Sequence, residues 1–329
     1  AIGHPCARNL WYNFRWATSI HFAAGTLKKF ADGHHGEDLQ AERLRLVSGL
    51  TLWTHTPNGR QYAIDDSGPI HGGHYKGHID GVIVGLLQAP KTPHVWEHKQ
   101  TDEARQRKLD KLKLELGEKN ALAEWDATYY GQAQTYMKHL GLSRHYLTVS
   151  TPGGRHTISC RTEYDPIAAD RLYKKAESII ASDRPPAKLS DNPDHWQCKW
   201  CSHYELCHMG TTFPQSNCRT CLFAGPVPGG KWLCTHHNKE LNKKTQQAGC
   251  EAHLYIPELL PFKQVDSEPE NLRVVYETRD GYRFSNGAPR GKDVYPSREL
   301  EQTPVSMIGD TNLNTLRDEF DGEVINAAS

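Results

Sequence analysis

Two short stretches decide the fold, GHIDGVIV at residues 77–84 and HVWEHK at residues 94–99. Both are rich in apolar, β-branched and aromatic residues and are separated by Gly and Pro, which predicts two strands. Side chains two residues apart on a strand point to the same face, so Glu97 and Lys99 should project together. If the two strands pair, Asp80 lies beside Glu97.

Two carboxylates and one lysine on paired strands suggest a particular chemistry. Neighbouring carboxylates repel each other unless a cation lies between them, and oxygen ligands of this kind suit Mg²⁺ or Mn²⁺. A lysine such as Lys99 can orient a water molecule and stabilise negative charge on a phosphate. The same residues would also suit an ordinary salt-bridged strand pair.

A third carboxylate, Glu37, lies upstream of these strands. On a helix it shares a stripe with Ala41 and Leu44, an inward-facing side where a bare carboxylate would be costly. A bound metal ion would remove that cost. Downstream, Gln132 and Tyr136 are four residues apart and share one face of the helix that follows the Glu97 strand.

Around these stretches the pattern alternates between helical and extended segments, which predicts an α/β protein. We expect helices over 10–50, 102–140 (broken near Gly117) and 166–181, strands over 51–54, 61–64, 144–150 and 156–161, and a hairpin over 272–284 turning at Asp280-Gly281. Asp165 and Pro166 should open the 166–181 helix as its cap and first residue. Pro185-Pro186 marks a linker into a cysteine-rich region.

The net charge of the chain gives no indication of a nucleic-acid partner. The 329 residues contain 39 basic and 39 acidic side chains, so any phosphate-binding surface must be a local patch. The basic stretch 105–113 suits a solvated helix face. Mean hydropathy is −0.69, no apolar run approaches membrane length and no charged-then-apolar leader opens the chain, so we expect a cytoplasmic protein without membrane contact.

Four elements in order resemble the RecB-like branch of the PD-(D/E)xK nucleases, especially phage-encoded exonucleases. The matching elements cover roughly residues 5–210 and are Gly33-His34 with Glu37, Gly77-His78-Ile79-Asp80-Gly81, Glu97-His98-Lys99 and Gln132-Ala133-Gln134-Thr135-Tyr136. The resemblance implies a restriction-endonuclease-like core, in which a mixed sheet is flanked by helices. It also implies hydrolysis of DNA phosphodiester bonds with Mg²⁺ or Mn²⁺.

Within that family, the resemblance makes Asp80 and Glu97 metal ligands and Lys99 the catalytic lysine. The backbone carbonyl of His98 would be a further ligand. Glu37 or His34 would complete the metal shell, with His21 as a third candidate; of these we favour Glu37.

Gln132 and Tyr136 would lie at the DNA-proximal edge of such a site. The partner would be single-stranded DNA or duplex ends, and a homo-oligomer or a recombination protein could be a second partner. The leading hypothesis is an exonuclease that resects DNA ends in phage or prokaryotic recombination and repair. A structure-specific endonuclease and a non-catalytic DNA-binding adaptor are the alternatives.

Seven of the nine cysteines lie between residues 198 and 250, which indicates metal binding in that region. An odd count and two C-x-x-C pairs argue against a disulfide scaffold and favour metal sites in a reducing compartment. Cys160 alternates within a predicted strand and suits a core position.

The first cysteine set combines a C-x2-C-x5-C spacing with one early cysteine. Its members are Cys6, Cys198, Cys201 and Cys207. This set resembles the iron–sulfur closure of CRISPR-adaptation nucleases and AddB-type nucleases, which implies a 4Fe-4S cluster held by four thiolates. A Cys3His zinc site that uses His203 or His208, with Cys6 simply buried, is the alternative.

The second cysteine set consists of Cys218, Cys221, Cys234 and Cys250, with His236, His237 and His253 nearby. A region with so few apolar residues needs a metal to fold, and zinc suits these ligands, against a second cluster or free thiols. The resulting domain prediction is a nuclease domain with an iron–sulfur cluster over 1–210, a zinc-binding module over 211–262, and a hairpin with a polar tail over 263–329.

Overall fold

A computed structural model of the protein describes residues 1–65 and 72–324. The chain divides into two compact units, one formed by Ala1–Pro5 and His21–Ser178, the other by Cys6–Ile20 and Ile179–Ser329. This division differs from the one drawn from the sequence, because the first unit ends at Ser178 rather than near residue 210. The final residues of the predicted tail, 325–329, lie outside the described residues.

Helices and strands alternate along the chain, so the protein is of mixed α/β class. The α-helices described are Ala7–Arg15 (α1), Ala24–Arg45 (α2), Glu103–Leu116 (α3), Glu118–Trp125 (α4), Ala127–Leu140 (α5), Pro166–Ala181 (α6), Trp196–Lys199 (α7), Lys243–Ala248 (α8), Ser297–Gln302 (α9) and Thr311–Phe320 (α10). The strands described are Thr51–Trp53 (β1), Tyr62–Asp65 (β2), Lys76–Ile79 (β3), Gly81–Val84 (β4), His94–Gln100 (β5), Arg144–Ser150 (β6), Thr157–Glu163 (β7), Ala224–Val227 (β8), Lys231–Cys234 (β9), Lys239–Leu241 (β10), Lys263–Glu268 (β11), Arg273–Glu277 (β12), Arg283–Gly287 (β13) and Val294–Tyr295 (β14).

The first unit is built on a five-stranded mixed sheet with the order β1-β4-β5-β6-β7. Strand β5 is central: it runs antiparallel to β4, with Gly81 opposite Trp96, and parallel to β6, with Glu97 opposite Leu147. The predicted pairing of the two fold-determining strands is therefore confirmed. Strands β2 and β3 form a separate antiparallel ribbon.

Each face of this sheet carries its own apolar core. On one face, Trp96 and Ile83 pack with the buried Ala41 and Leu44 of α2. On the other face, a larger core joins the sheet to helices α3, α4 and α5; its buried members include Val95, Leu147, Val149, Leu109, Leu122 and Met137. The two faces follow from the alternation along β5, since consecutive side chains point to opposite sides.

Local capping residues set the helix boundaries in this unit. The predicted helix 166–181 is confirmed, and Asp165 Oδ1 accepts hydrogen bonds from the backbone N–H groups of Ile167 and Ala168. The predicted break at Gly117 is also confirmed. A second break at Asp126, which caps α5 through its side chain, was not predicted from the sequence.

The second unit contains two smaller sheets, with strand orders β10-β9-β8 and β11-β12-β13-β14. The predicted hairpin is confirmed as β12 and β13, which pair antiparallel across residues 278–282. Helix α1 belongs to this unit, where Trp11 and Arg15 each reach the backbone carbonyl of Ser182. Across the described residues, no helix is both long enough and apolar enough to cross a membrane.

The turn after β4 requires glycine at position 85. Gly85 has φ +101°, and a Cβ there would lie 1.8 Å from the carbonyl oxygen of Gly49. We therefore expect Gly85→Ala to lower the free energy of unfolding by roughly 3 kcal/mol, from backbone strain and overpacking together. Gly33→Ala is the matched control, because a Cβ at Gly33 of α2 meets nothing within 4 Å. That substitution should raise stability by about 0.5–1 kcal/mol. Equal urea midpoints for the two variants would contradict this account of the turn.

Candidate active site and cysteine clusters

The three residues predicted to carry the chemistry lie together in the first unit. Asp80 lies between β3 and β4, and its Oδ2 accepts a 2.8 Å hydrogen bond from the backbone N–H of His98 on β5. Lys99 Nζ lies 2.5 Å from Glu97 Oε1 and 3.9 Å from Asp80 Oδ2. The exposed fraction of the side chain is only 4% for Glu97 and 10% for Asp80, so both carboxylates are buried beside one ammonium group.

This arrangement follows from the alternation along β5. Glu97 and Lys99 point to the face covered by α5, whereas His98 points to the other side. There its Nδ1 lies 3.0 Å from Thr148 Oγ1 and its Nε2 lies 3.1 Å from Ser150 Oγ. Burial, with the positive charge of Lys99, lowers the pKa of His98 to about 4, so the ring is neutral.

The charges in the site are out of balance. Burial raises the pKa of Asp80, although the positive charge of Lys99 acts to lower it. Burial, together with the negative charges of Asp80 and Glu37, raises the pKa of Glu97 to about 8. Burial alone would lower the pKa of Lys99, but Glu97 and Asp80 outweigh it and raise that pKa. One ammonium therefore faces three carboxyl groups.

Helix α2 brings Glu37 to this site. Burial, followed by the negative charge of Asp80, raises the pKa of Glu37 to about 7. His34, one turn earlier on the same helix, is exposed and interacts electrostatically with Asp80. The third candidate, His21, precedes α2 and is exposed. Of the three, Glu37 is the half-buried residue coupled to Asp80, Glu97 and Lys99.

Helix α5 supplies the other wall of the site. Gln132 Nε2 donates to Glu97 Oε1 at 2.8 Å and to Tyr136 Oη at 2.9 Å. Tyr136 can lie this close to β3 because residue 77 is glycine, where a Cβ would be 3.0 Å from the tyrosine ring and hydroxyl. Burial raises the pKa of Tyr136, so its hydroxyl stays protonated.

One buried oxygen of the site has no protein partner. Lys99 and Gln132 both bind Oε1 of Glu97, whereas Oε2 is buried and accepts no hydrogen bond from the described residues. A buried carboxylate oxygen without a donor is costly. Such an atom, beside two further carboxylates, has the chemistry of a divalent-cation ligand.

Sequence reasoning missed three residues that shape the site. Tyr129 of α5 places its ring centroid 5.5 Å from Lys99 Nζ, a cation–π contact. Its spacing of three residues from Gln132 and seven from Tyr136 is a one-face helical pattern that could have revealed it. Thr148 and Ser150, which hold His98, gave no comparable signal.

The first cysteine set lies within the second unit. Cys6 caps α1, where its Sγ accepts from the backbone N–H of Asn9 at 3.4 Å, and Asn9 Nδ2 donates to Cys201 Sγ at 3.3 Å. Burial, followed by the proximity of Cys6 and Cys201, raises the pKa of Cys198. Cys207 likewise interacts electrostatically with Cys201. The sequence-distant Cys6 is thus brought to the other three thiols.

The histidines offered as alternative ligands differ in their surroundings. His203 is buried, with its Nδ1 2.8 Å from Thr18 Oγ1 and its ring against Tyr12. His208 stacks beside Tyr204. A hydroxyl partner on Nδ1 leaves Nε2 of His203 as a potential ligand, so the Cys3His arrangement remains the alternative to a set completed by Cys6.

The second cysteine set lines a small cavity of about 90 Å³ in the second unit. The cavity is bordered by Cys218, Cys221, Cys234 and Cys250, with His236, His237 and His253. Burial, followed by the charges of Cys250 and Cys234, raises the pKa of Cys218 to about 11. His253 Nε2 lies 2.9 Å from the Asn217 carbonyl, and its buried Nδ1 has no partner among the described residues. Four thiols and one ring nitrogen therefore compete for the positions of a zinc site.

Two general findings apply to both sets. No disulfide joins any cysteine in the described part of the chain. Within residues 1–65 and 72–324, no group of three or more His, Cys, Asp or Glu side chains already has the arrangement of a metal site. This holds for the two cysteine sets and equally for Glu37, Asp80 and Glu97.

The sequence matches no known protein family and no curated protein. Among solved structures, one similar chain is described as "Crystal structure of SSO0001". It is 16% identical, and the match covers 63% of this chain and 83% of that chain with a TM-score of 0.30. A similarity this weak carries no argument about fold or function.

The raised pKa of Glu97 predicts a pH dependence of stability. Between its ordinary pKa of about 4.5 and its folded value of about 8, the folded state holds a proton that the unfolded chain has lost. Without added divalent metal, stability should therefore fall as pH rises through this window. Relative to Glu97→Gln, which cannot titrate, the wild-type melting temperature should decline between pH 5.5 and pH 8.5. Glu42→Gln, at an exposed position of α2, is the matched control for the loss of one carboxyl group. A pH-independent difference for Glu97→Gln would contradict the assignment.

Proposed function

We propose that this protein is a Mg²⁺- or Mn²⁺-dependent DNA nuclease, a phosphodiester hydrolase of the PD-(D/E)xK type. The observation that supports it most is the set of three carboxyl groups near one ammonium group, of which Asp80 and Glu97 are buried and Glu37 is half-buried. With all three ionised, Glu37, Asp80 and Glu97 carry three negative charges against the single positive charge of Lys99. The missing two charges correspond to one divalent cation.

The residues present fit such an ion. Asp80, Glu97 and Glu37 supply the carboxylate oxygens that Mg²⁺ and Mn²⁺ prefer. The buried Oε2 of Glu97 has no hydrogen-bond partner among the described residues. His34 and the backbone carbonyl of His98 remain candidates for further ligands. When bound, the cation supplies Lewis-acid polarisation of the phosphate. The helices on both faces of the five-stranded sheet support a restriction-endonuclease-like core.

The protein's own side chains would have separate tasks. Lys99, whose raised pKa keeps it charged, can orient the attacking water and stabilise the negative charge that develops on the phosphate. Gln132 fixes the rotamer of Glu97 and holds the Tyr136 hydroxyl. By the resemblance to the PD-(D/E)xK nucleases, Gln132 and Tyr136 would lie at the DNA-proximal edge of the site.

We favour an exonuclease that resects DNA ends in recombination or repair over a structure-specific endonuclease. Linear and covalently closed circular DNA separate these two, because only the endonuclease cuts the circle. A non-catalytic DNA-binding adaptor is the alternative from another class. The complete set of Asp80, Glu97 and Lys99 supports the enzyme, because an adaptor does not need all three.

For the cysteine sets we propose a 4Fe-4S cluster on Cys6, Cys198, Cys201 and Cys207, and one zinc ion in the second set. The amide of Asn9 supports the first assignment, since N–H donors to the sulfur atoms are a common feature of such clusters. The position of all four thiols around one cavity supports Cys218, Cys221, Cys234 and Cys250 as zinc ligands, with His253 as the alternative to one of them. Both metals fit a reducing compartment such as the cytoplasm.

Lys99→Ala should lower the turnover of end-labelled DNA by orders of magnitude while leaving the fold and DNA affinity largely intact, because it removes a transition-state interaction. Asp80→Ala should abolish Mg²⁺-dependent cleavage. Lys91→Ala, at an exposed lysine, is the matched control and should cleave at the wild-type rate. Wild-type turnover by either site variant would overturn the assignment.

Elemental analysis of the intact protein should find about one zinc per chain. Cys221→Ser should lose that zinc and lower the melting temperature, because a structural metal contributes folding free energy. Cys160→Ser is the matched control, since Cys160 is buried in the core of the first unit and belongs to neither set. Zinc-free protein with an unchanged melting temperature would contradict the assignment.

Anaerobically purified protein should be brown and contain about four irons per chain. Cys6→Ser should remove the colour and most of the iron, whereas Cys160→Ser should keep both. A colourless wild-type protein with a second zinc per chain would contradict the cluster and favour the Cys3His alternative.

A further inference from the structure

A second candidate binding site lies wholly within the second unit. It is an open cleft of about 760 Å³, bordered by the end of α1, by residues 215–217 and by helices α8 and α9. Its volume is that of a small-molecule site and would accommodate a nucleotide. The side chains that line it are mostly polar.

One wall of the cleft carries an aromatic ring in a fixed position. Trp16 follows α1 with φ +52°, a left-handed conformation that non-glycine residues rarely adopt. The Arg219 guanidinium lies 3.7 Å from the centroid of the Trp16 ring. Arg219 is itself held, because its Nη1 donates to the Phe14 carbonyl at 2.8 Å and its Nε to Gln246 Oε1 at 2.9 Å. The indole is therefore preorganised.

The charges that line the cleft favour an anion. Lys243 and Arg298 contribute two positive charges, and Glu301 contributes one negative charge. Glu301 is already engaged, since its Oε2 accepts from the Ser216 backbone N–H at 2.8 Å and from the Ser216 hydroxyl. Arg298 is engaged as well, because its Nη1 lies 3.5 Å from Glu251 Oε1 and its Nη2 donates to the Ala248 carbonyl at 3.0 Å. The exposed Lys243 is therefore the cation of the lining that can meet an anion.

Amide side chains complete the lining. Gln247 and Gln302 each carry a donor and an acceptor that can meet the edge of a heterocyclic base. The Nδ2 of Asn13, by contrast, already donates to the backbone and side-chain oxygens of Asn9. An aromatic ring, an exposed lysine and two amides together match the parts of a nucleotide: a flat base, a phosphate and hydrogen-bonding edges.

We propose that this cleft binds a nucleotide of single-stranded DNA, with its base stacked on Trp16 and its phosphate near Lys243. The inference rests on the proposed nuclease function, because it names the form in which the DNA is held outside the reaction centre. It assigns the second unit a DNA-binding role besides its metal sites.

The test measures binding of a fluorescein-labelled oligothymidylate by fluorescence anisotropy, in the Lys99→Ala background so that the strand stays intact. Trp16→Gly removes the ring and suits the left-handed backbone, so helix α1 keeps its end. We expect it to weaken binding about tenfold. Lys243→Gln should weaken binding several-fold and reduce its salt dependence.

Lys244→Gln is the matched control. Lys244 is the exposed neighbour of Lys243 on α8, but it does not line the cleft. It should bind the strand as the parent protein does, although it changes net charge by the same amount. If Trp16→Gly does not fold, as judged by circular dichroism, the comparison of Lys243 with Lys244 decides alone.

If all variants bind the strand with equal affinity, or if Lys243→Gln and Lys244→Gln weaken binding equally, the proposal that this cleft binds DNA is wrong. If unlabelled thymidine monophosphate displaces the strand at similar concentration, the ligand is a free nucleotide and the proposal as stated fails. Cleavage assays keep the two proposals apart. If the protein cleaves DNA but neither Trp16→Gly nor Lys243→Gln changes strand binding, the cleft proposal fails and the nuclease proposal stands. If the protein binds the strand through the cleft but does not cleave DNA, the nuclease proposal fails and the cleft proposal stands.

Discussion

The candidate site of the first unit depends on one electrostatic constraint: a single lysine lies beside two buried carboxyl groups and near a third, half-buried one. Lys99 contacts Glu97 directly and lies 3.9 Å from Asp80, while Glu37 approaches from α2. In a low-dielectric space the like charges of the carboxylates repel, which disfavours their ionised forms as long as no further cation is bound. The raised pKa values of Glu37 and Glu97 express the same imbalance. Repulsion between buried carboxylates lowers the stability of the fold, and a bound divalent cation would remove that repulsion. Local destabilisation of this kind is expected at a functional site.

The layers of the fold hold these groups in place. Strand β5 carries two of them on the face toward α5, while the opposite face packs on α2. The sheet order places β4, with Asp80 just before it, directly beside β5, so one backbone N–H can hold the Asp80 carboxylate. The second unit gathers thiols rather than carboxyl groups, and burial raises the pKa values of Cys198 and Cys218. In both units polar groups are gathered inside the protein, where each would be unfavourable alone.

Much of this site could be predicted from sequence because it is encoded by short-range periodicity. The period of two along residues 94–99 put Glu97 and Lys99 on one face, and Asp165 marked the start of α6. What the sequence could not supply was the long-range packing. The single helical region expected over 10–50 is in fact two helices, α1 and α2, separated by the left-handed Trp16 and an irregular segment. Residues 6–20 join the second unit rather than the first, and that choice depends on partners nearly 200 residues away, such as Ser182 and Arg219. No local pattern encodes such a contact.

The central claim, that the carboxyl trio with its lysine is a divalent-cation site, is tested most directly by calorimetric titration of Mn²⁺ at pH 7. Running the titration in two buffers of different ionisation enthalpy counts the protons released on binding. The account predicts one strong Mn²⁺ site per chain that releases about one proton, because Glu97 and Glu37 are partly protonated before the ion arrives. Asp80→Asn should abolish that site and its proton release. Mn²⁺ binding that is unchanged by Asp80→Asn, or no binding in the wild-type protein, would contradict the account.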